Sequence, residues 1–273
     1  MSHSPPTDVA LPPLADLGRD LLATTPRQRW ACLLRPFVGV AAYAAAVYWE
    51  QWWLTPVIVF LIFVAVVTAT HDVVHGSLGL GQRATEWWLF LLGAVLLESG
   101  HAYRTTHLRH HQAFPGPDDP EGDPARMSLG RAVLYGPLFL PRLWLWAFRR
   151  HAGRRGQRAW LLAEAGWALG FAATGVLLWS RTPALGWYVL LAVVGSWVYP
   201  LLTVHLPHHG YGEHPLTQTG TMRGRVIPPL FLELTYHLEH HLYPGVPSHH
   251  LAELSRRLDP FFCRHGVRPR RVP

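Results

Sequence analysis

Histidines are grouped at four places in this chain of 273 residues, and the groups have nearly the same internal spacing. Three groups, "HLRHH", "HLPHH" and "HLEHH", read His-x-x-His-His, and the fourth, "HDVVH", reads His-x-x-x-His. On a helix, residues three and four positions apart lie on one face, so each group aims its imidazoles in one direction, as a metal site requires. The residues are His71 and His75; His107, His110 and His111; His205, His208 and His209; and His237, His240 and His241.

The number of histidines indicates a pair of metal ions rather than one. A tetrahedral zinc ion takes four ligands, whereas the first, second and last groups supply eight imidazoles. "HLPHH" supplies a ninth, but Pro207 disturbs its helical spacing and leaves ligation by His205 or His209 open. Imidazole suits zinc, copper, iron and nickel, and among these an iron pair can activate oxygen, whereas zinc has no redox chemistry. The sequence has no His-Glu-x-x-His motif, and Cys32 and Cys263 are too few for a cysteine metal site.

Long apolar stretches must position these histidines, and they predict an all-α protein that crosses a membrane. The chain is 49% hydrophobic and only 15% charged, which is typical of membrane proteins. Four stretches are long enough to form two spanning hairpins. The predicted spans are Leu33–Trp53, Leu54–Thr70, Trp160–Ser180 and Leu185–Val204.

Two further segments are helical but not predicted to cross. Trp87–Leu97 would reach only about 16 Å as a helix, so we expect it to be re-entrant or buried. Glu98 ends this segment, and a carboxylate at membrane depth is a functional hint unless it faces the aqueous loop. Arg131–Arg150 mixes arginine with large apolar residues, which favours an amphipathic helix at the membrane surface.

Arginine positions predict the orientation of the spans. Arginines are frequent before the first span, between the second and third spans, and after the fourth, whereas the two outer turns contain only Arg181. The positive-inside rule therefore places both termini, the central loop and all four histidine groups on the cytoplasmic side. We expect a multi-pass protein of a bacterial inner membrane whose cytoplasmic helical cap holds the histidines. No motif for reading nucleic acid accompanies the net charge of +7.

The histidine groups and their order resemble the histidine boxes of the membrane fatty acid desaturase superfamily. The similar segments are "HDVVHG", "YRTTHLRHH", "LPHH" and "YHLEHHLYPGVP", and the resemblance covers residues 67–254. It implies a non-haem enzyme with two iron ions that uses O2 to attack an unactivated C–H bond of a lipid. It also implies the iron ligands, which are His71, His75, His107, His110, His111, His208, His237, His240 and His241.

The segments divide the chain into a cytoplasmic N-terminal segment (1–32), a membrane di-iron domain (33–254) and a basic C-terminal tail (255–273). Oxygen activation consumes electrons, yet the sequence has no dinucleotide-binding fingerprint and too few cysteines for an iron–sulfur cluster. We therefore expect an external electron donor, such as a ferredoxin with its reductase, to bind the cytoplasmic face. Arginines within 149–158 and at 256–257 are candidate docking positions.

Acidic residues near the boxes are candidates for orienting the ligands, because a metal-binding histidine usually donates its other N–H to a carboxylate or carbonyl. Asp72 follows the first ligand, Glu239 lies inside the last box, and "DDPEGDP" at 118–124 follows the second box. We select Asp123 and Glu239 for this role. Histidines off the ligand spacing are predicted to be surface or loop residues: His101, His214, His249 and His250.

The sequence leaves three functions open. Fatty-acyl desaturation is favoured because "YHLEHHLYPGVP" is similar to acyl-lipid desaturases. "HDVVHGSL" and "LPHH" are similar to carotenoid ketolases, so ketolation or hydroxylation of a β-carotene-type substrate is the alternative. A third hypothesis is a histidine-rich protein that transports or stores metal, but transport needs polar ligands within the spans, and these contain little besides Glu164.

Overall fold

The computed structural model describes residues 9–273, which fold into helices with one pair of very short strands. This confirms the all-α prediction; residues 1–8 of the predicted N-terminal segment lie outside the described residues. In chain order the elements are α1 Leu14–Leu17, α2 Pro26–Tyr48, α3 Thr55–Val74, α4 Gln82–Leu96, α5 Gly100–Ala113, α6 Leu129–Arg150, α7 Arg155–Leu177, α8 Ala184–Ser196, α9 Leu206–His208, β1 Met222–Arg223, α10 Ile227–Leu230, α11 His237–Leu242, α12 Leu251–Arg257, α13 Asp259–Arg264 and β2 Arg270–Arg271.

Four helical segments are long and apolar enough to cross a membrane, which confirms a membrane protein with four predicted spans. α2 packs against α3, and α7 packs against α8, so the segments form two hairpins. α6 lies between the hairpins in the chain, where an amphipathic helix was predicted. The spanning segments are Pro26–Tyr48, Trp52–Val74, Arg155–Leu177 and Ala184–His208.

The predicted span boundaries are wrong by several residues. The first span begins at Pro26 rather than Leu33, because Thr25 and Gln28 form a capping box that starts the helix within a polar segment. The second helix continues beyond Thr70 to Val74. Apolar length indicates the part of a helix that lies in the membrane, whereas capping residues decide where the helix itself begins.

The short apolar stretch forms α4, a helix of 15 residues that is not among the candidate spans. α4 packs against α3 and buries Leu89 and Leu92. The chain then turns at Leu97, which has a left-handed φ of 61°. Ser99 starts α5 by accepting a hydrogen bond of 3.0 Å from the Ala102 N–H. α4 and α5 thus form a helical pair, and α5 carries the second histidine group.

The last histidine helix belongs to a second hydrophobic core, separate from the core of the spans. Leu238 and Leu242 of α11 pack in it with Leu251 and Leu254 of α12, and Leu21 joins them from the N-terminal segment. The strands β1 and β2 pair in parallel and connect the C-terminal segment to the chain before α10. Residues near both ends of the chain therefore pack around the helix that presents the fourth histidine group.

Candidate metal centre

Four parts of the fold meet in one buried region between the spans and the second core. The end of α3, α5, the segment after α8, and α11 each contribute one histidine group. The segment after α8 is irregular, because Leu201–His205 forms a π-helical turn that is followed by α9. A π turn changes which residues share a face. In this segment it is His208, and neither His205 nor His209, that meets the other histidine groups.

Five imidazoles form the first cluster: His71, His75, His107, His111 and His240. The Nε2 atom of His240 lies 2.9 Å from that of His71 and 2.9 Å from that of His111. The Nε2 atoms of His107 and His111 are 3.2 Å apart. The ring centroid of His75 lies 4.8 Å from those of His71 and His111. The first cluster therefore combines residues from α3, α5 and α11.

Four imidazoles form the second cluster: His110, His208, His237 and His241. One ring nitrogen from each of His110, His208 and His241 lies within 4.8 Å of the others. The Nε2 atom of His237 lies 3.0 Å from that of His208 and 3.2 Å from that of His241. The clusters adjoin, since the ring centroids of His241 and His111 are 4.5 Å apart. The structure thus brings together all nine histidines of the predicted ligand set.

The nitrogen atoms at the centre of the clusters fit metal ions. The buried Nε2 atom of His75 has no hydrogen-bond partner among residues 9–273. Two nitrogens that each bind one ion at about 2.1 Å lie roughly 3.0–3.4 Å apart, and Nε2 contacts in the clusters measure 2.9–3.2 Å. The outer ring nitrogen of His208 contacts the Gln218 carbonyl oxygen at 3.2 Å, which leaves Nε2 available. A set of neutral imidazoles is compatible with non-haem iron.

Two buried carboxylates orient histidines of α5. The Asp119 carboxylate accepts a hydrogen bond of 2.7 Å from Nδ1 of His110. The Glu121 carboxylate accepts one of 3.3 Å from Nδ1 of His107, and the Thr106 hydroxyl donates to the same carboxylate at 2.7 Å. Holding Nδ1 in this way fixes the ring and turns Nε2 towards the clusters.

Burial and nearby charges set the protonation of the clusters. Burial and the charge of His71 lower the pKa of His75 to about 2, and burial lowers the pKa of His107 well below its ordinary value. Burial also lowers the pKa of His110, but the hydrogen bond and the charge of Asp119 outweigh this and raise that pKa. Metal ions bind the neutral imidazole. Beside the second cluster, Asp119 gives His110 both a nearby negative charge and a hydrogen bond.

The predicted orienting role of Asp123 is wrong. Asp123 begins a 3-10 helix, is 39% exposed and forms an ion pair of 3.1 Å with Arg126. Asp119 and Glu121 lie in the same acidic segment, and they are the residues that return to α5. Composition identified the segment, but the course of the loop after α5 decides which carboxylates reach a histidine.

The predicted contact of Glu239 with a ligand is also wrong, whereas Asp72 does lie beside one. Glu239 is fully buried, but its carboxylate accepts a hydrogen bond of 2.9 Å from Thr221. An oxygen of Asp72 lies 3.6 Å from Nδ1 of His71. The Ser248 hydroxyl donates to Asp72 at 2.7 Å. Asp72 thus connects the end of α3 to the segment before α12.

Two histidines of the "HLPHH" group bind backbone carbonyls instead of facing the clusters. Nδ1 of His205 donates to the carbonyl oxygen of Pro124 at 2.9 Å, and Nδ1 of His209 donates to that of Ala125 at 2.9 Å. Their rings stack with centroids 4.4 Å apart. These contacts hold the segment that follows Asp119 and Glu121 against α9. The structure therefore assigns His205 and His209 a supporting contact.

The prediction that His101 is a surface or loop residue is wrong. His101 is only 1% exposed and contacts Glu164 at 2.7 Å and Glu86 at 2.9 Å. Arg104 binds the same Glu86 carboxylate through two hydrogen bonds, and the His101 ring stacks on Trp160. This network joins α4, α5 and α7 at a distance from both clusters. In the sequence, the signal for this buried network was the carboxylate of Glu164 within the third span.

An apolar cavity of about 230 Å³ borders both clusters, and we call it the metal-side cavity. His71 and His107 of the first cluster line it, as do His110 and His237 of the second. A hydrocarbon chain in this cavity would lie directly beside the imidazoles. Apolar and aromatic residues of the wall include Phe63, Val67, Tyr103, Tyr199, Leu202 and Phe231.

The chain belongs to the fatty acid desaturase family, whose sequence model matches residues 48–273. The matched range contains all four histidine groups, α3 to α13 and three complete spans. Family membership confirms the predicted class of protein, a membrane oxidoreductase of lipid desaturation.

Individual relatives are desaturases from bacteria and plants. The chain is 26% identical over 278 residues to dihydrorhizobitoxine desaturase of Bradyrhizobium elkanii, an alignment that covers 85% of this chain and 76% of that protein. It is 24% identical to the temperature-sensitive sn-2 acyl-lipid omega-3 desaturase (ferredoxin) of Arabidopsis thaliana chloroplasts, and the alignment covers 96% of this chain and 72% of that protein. It is 23% identical to the chloroplastic omega-3 fatty acid desaturase of Ricinus communis, and the alignment covers 97% of this chain and 68% of that protein. These similarities give no support to the ketolase or metal-handling hypotheses.

Proposed function

We propose that this protein is a di-iron desaturase that uses O2 to introduce a double bond into the acyl chain of a membrane lipid. The observation that carries the proposal is the pair of imidazole clusters in the wall of an apolar cavity. Imidazole is a suitable ligand for iron, and the cavity suits a hydrocarbon chain rather than a polar metabolite.

Each cluster would hold one iron ion. When bound, the iron pair supplies the oxygen activation that breaking an unactivated C–H bond requires. The first ion would be held by His71, His75, His107, His111 and His240, and the second by His110, His208, His237 and His241.

The protein's own residues position the reacting groups. Asp119 and Glu121 hold two ligand rings in orientation, so that the ligand set does not have to order itself when the metal binds. The metal-side cavity holds the lipid chain so that neighbouring carbons lie beside the clusters. Because removing two neighbouring hydrogens gives a double bond, the position of the chain decides the outcome.

An acyl lipid is the proposed substrate class. The names of the Arabidopsis thaliana and Ricinus communis relatives refer to acyl-lipid and fatty acid desaturation. Both alignments cover more than nine-tenths of this chain. The apolar wall of the metal-side cavity suits the same substrate.

The proposed enzyme takes electrons from a ferredoxin-like protein and lies in a bacterial inner membrane with its clusters on the cytoplasmic side. Arginine positions support this orientation. The name of the Arabidopsis thaliana relative includes ferredoxin. In this arrangement residues 33–254 form the membrane catalytic domain, between the N-terminal segment and the C-terminal tail.

Lipid analysis tests the proposal. The protein is expressed in a bacterium together with a ferredoxin and its reductase, and acyl chains and carotenoids are analysed by mass spectrometry. We expect new unsaturated acyl chains with the wild type and none with His240→Ala. New keto- or hydroxycarotenoids with unchanged acyl chains would show that the substrate class is wrong. Desaturated products from His240→Ala would show that the clusters do not carry the reaction.

A further inference from the structure

A second apolar cavity, of about 530 Å³, lies next to the metal-side cavity, and we call it the Glu98 cavity. The two cavities share three wall residues, Val67, Tyr103 and Tyr199. Tyr103 stacks on the cluster residue His107 with ring centroids 4.7 Å apart. The ring centroids of Tyr103 and Tyr199 are 6.5 Å apart. These tyrosines therefore form the boundary between the space beside the clusters and the larger space beyond it.

The sizes of the two cavities indicate that one ligand extends through both. Binding pockets for small molecules usually measure about 300–1,000 Å³. The metal-side cavity, at about 230 Å³, is too small to enclose a long acyl chain. A chain whose reacting carbons lie beside His107 must continue past Tyr103, and the Glu98 cavity adjoins that point.

Part of the wall of the Glu98 cavity consists of apolar residues that are exposed on candidate membrane spans. Leu169 of α7 is 73% exposed, and Val193 and Trp197 are 44% and 41% exposed. All three line the cavity and belong to candidate membrane spans. Exposed apolar residues of a spanning helix face lipid tails. A lipid chain can therefore enter this cavity sideways from the membrane.

Glu98 is one of the two acidic residues that line this cavity. The next residue, Ser99, donates a hydrogen bond to Glu164, which lies near the middle of the spanning helix α7. Nearby on α7, the Trp167 indole donates a hydrogen bond of 3.2 Å to the carbonyl oxygen of Ala94. Glu98 thus lies where the chain between α4 and α5 contacts the spanning helix α7.

The Glu98 carboxyl group has no hydrogen-bond or ion-pair partner among residues 9–273. Glu164 also lines the cavity, but Ser99 and His101 bind its carboxylate. A polar group in apolar surroundings costs free energy unless it is hydrogen-bonded. Glu98 is therefore the carboxyl group of this wall that is available to a ligand.

We propose that the Glu98 cavity binds the part of the lipid substrate beyond the reacting carbons, and that Glu98 hydrogen-bonds a hydroxyl group on that part. A hydroxyl group both donates and accepts, so it pairs with a carboxyl group in either protonation state. An ammonium group would lose its hydration on entering this apolar cavity. The inference rests on the proposed function and names the substrate class more closely, as a lipid whose chain carries a hydroxyl group.

Binding without turnover tests this assignment. Purified full-length protein in lipid nanodiscs is kept free of oxygen, and methyl stearate and its ω-hydroxy derivative compete with a fluorescent polyene fatty acid. One net hydrogen bond contributes a factor of about three to ten in affinity. We expect the hydroxy ester to displace the fluorescent acid at a concentration lower by that factor. Equal displacement by the two esters would overturn the proposal without any variant.

Variants then test whether Glu98 causes the preference for the hydroxy ester over methyl stearate. Glu98→Leu should abolish it, and Glu98→Gln, which keeps a donor and an acceptor, should retain it. Ser196→Ala is the matched control, because Ser196 lines the same cavity but already donates to the Val193 carbonyl oxygen at 2.7 Å. A preference that persists in Glu98→Leu would also overturn the proposal. Since no turnover is measured, this result is independent of whether the protein proves to be a desaturase.

Discussion

The two nitrogens of a cluster histidine have separate tasks in this protein. In His110, Nδ1 is held by Asp119 while Nε2 faces the second cluster, and His107 is held by Glu121 in the same way. Loss of a ligand ring removes a metal-binding atom, whereas loss of a carboxylate leaves the atom in place but frees the ring. The two kinds of substitution should therefore differ measurably in their effects on metal binding and on product formation.

Substitution of a ligand should abolish the reaction without releasing the protein from the membrane. We expect about two iron ions per wild-type chain after anaerobic loading. His110→Ala and His240→Ala should bind less iron and form no product, while the apolar spans still insert. His249→Ala is the control, because His249 lies outside both clusters. Iron content, lipid products and membrane fractionation are the measurements, and loss of product in His249→Ala would contradict the ligand assignment.

Substitution of a supporting carboxylate should weaken metal binding without removing a ligand. Asp119→Asn removes the charge that faces His110, and such changes cost about 10- to 100-fold in metal affinity. The matched control is Asp118→Asn, whose side chain is 82% exposed. Retention of iron against a chelator is the readout. Equal retention by the two variants would contradict an orienting role for Asp119.

At the level of elements, the contact between α4 and α5 sets the position of three ligands. A Cβ atom at Gly100 would overlap the carbonyl oxygen of Leu89. Gly100→Ala should therefore force α5 away from α4, destabilise the protein by about 1–3 kcal/mol, and reduce activity by displacing the α5 histidines. Gly130→Ala in α6 is the control, because a Cβ there meets nothing within 4 Å. Thermal unfolding and product yield test this, and an unchanged melting temperature for Gly100→Ala would refute it.

At the level of the whole molecule, one polar surface lies close to the second cluster. Asp119, which holds His110, lines a polar cavity of about 600 Å³ together with Arg149 and Arg150. Arg257, another predicted docking residue, is instead bound to Asp20. Arg149 and Arg150 are thus the predicted docking residues that line this cavity, where they could meet an acidic electron donor.

Reversal of these charges should impair electron delivery. Arg149→Glu combined with Arg150→Glu should raise the donor concentration needed for half-maximal turnover, because long-range attraction speeds encounter between charged proteins. Turnover should also fall with salt, since exposed charges are screened beyond about 10 Å at 0.1 M. The control is Arg264→Glu with Arg268→Glu, both exposed residues in the C-terminal segment. Turnover that is insensitive both to salt and to Arg149→Glu with Arg150→Glu would exclude this surface as the docking site of the electron donor.

Local patterns in the sequence were sufficient to predict a membrane-spanning protein and eight of the nine clustered histidines. The spacing of His107, His110 and His111 depends only on the pitch of one helix, and apolar length and arginine positions are also local properties. For this reason the four spans and these eight histidines could be predicted, whereas His208 was implied only by the resemblance to the desaturase superfamily. Span boundaries were less accurate, because capping at Thr25 extends a helix beyond its apolar part.

Only the tertiary structure decided how these parts combine. The division of the histidines into two clusters depends on contacts between α3, α5, α9 and α11, which are far apart in sequence. The course of one loop selects Asp119 instead of Asp123, and a π turn directs His208 rather than His205 to the centre. The role of Glu98 depends on the cavity that residues of α3 to α8 line together. Periodicity along a chain shows which way a side chain faces, but packing determines what it faces.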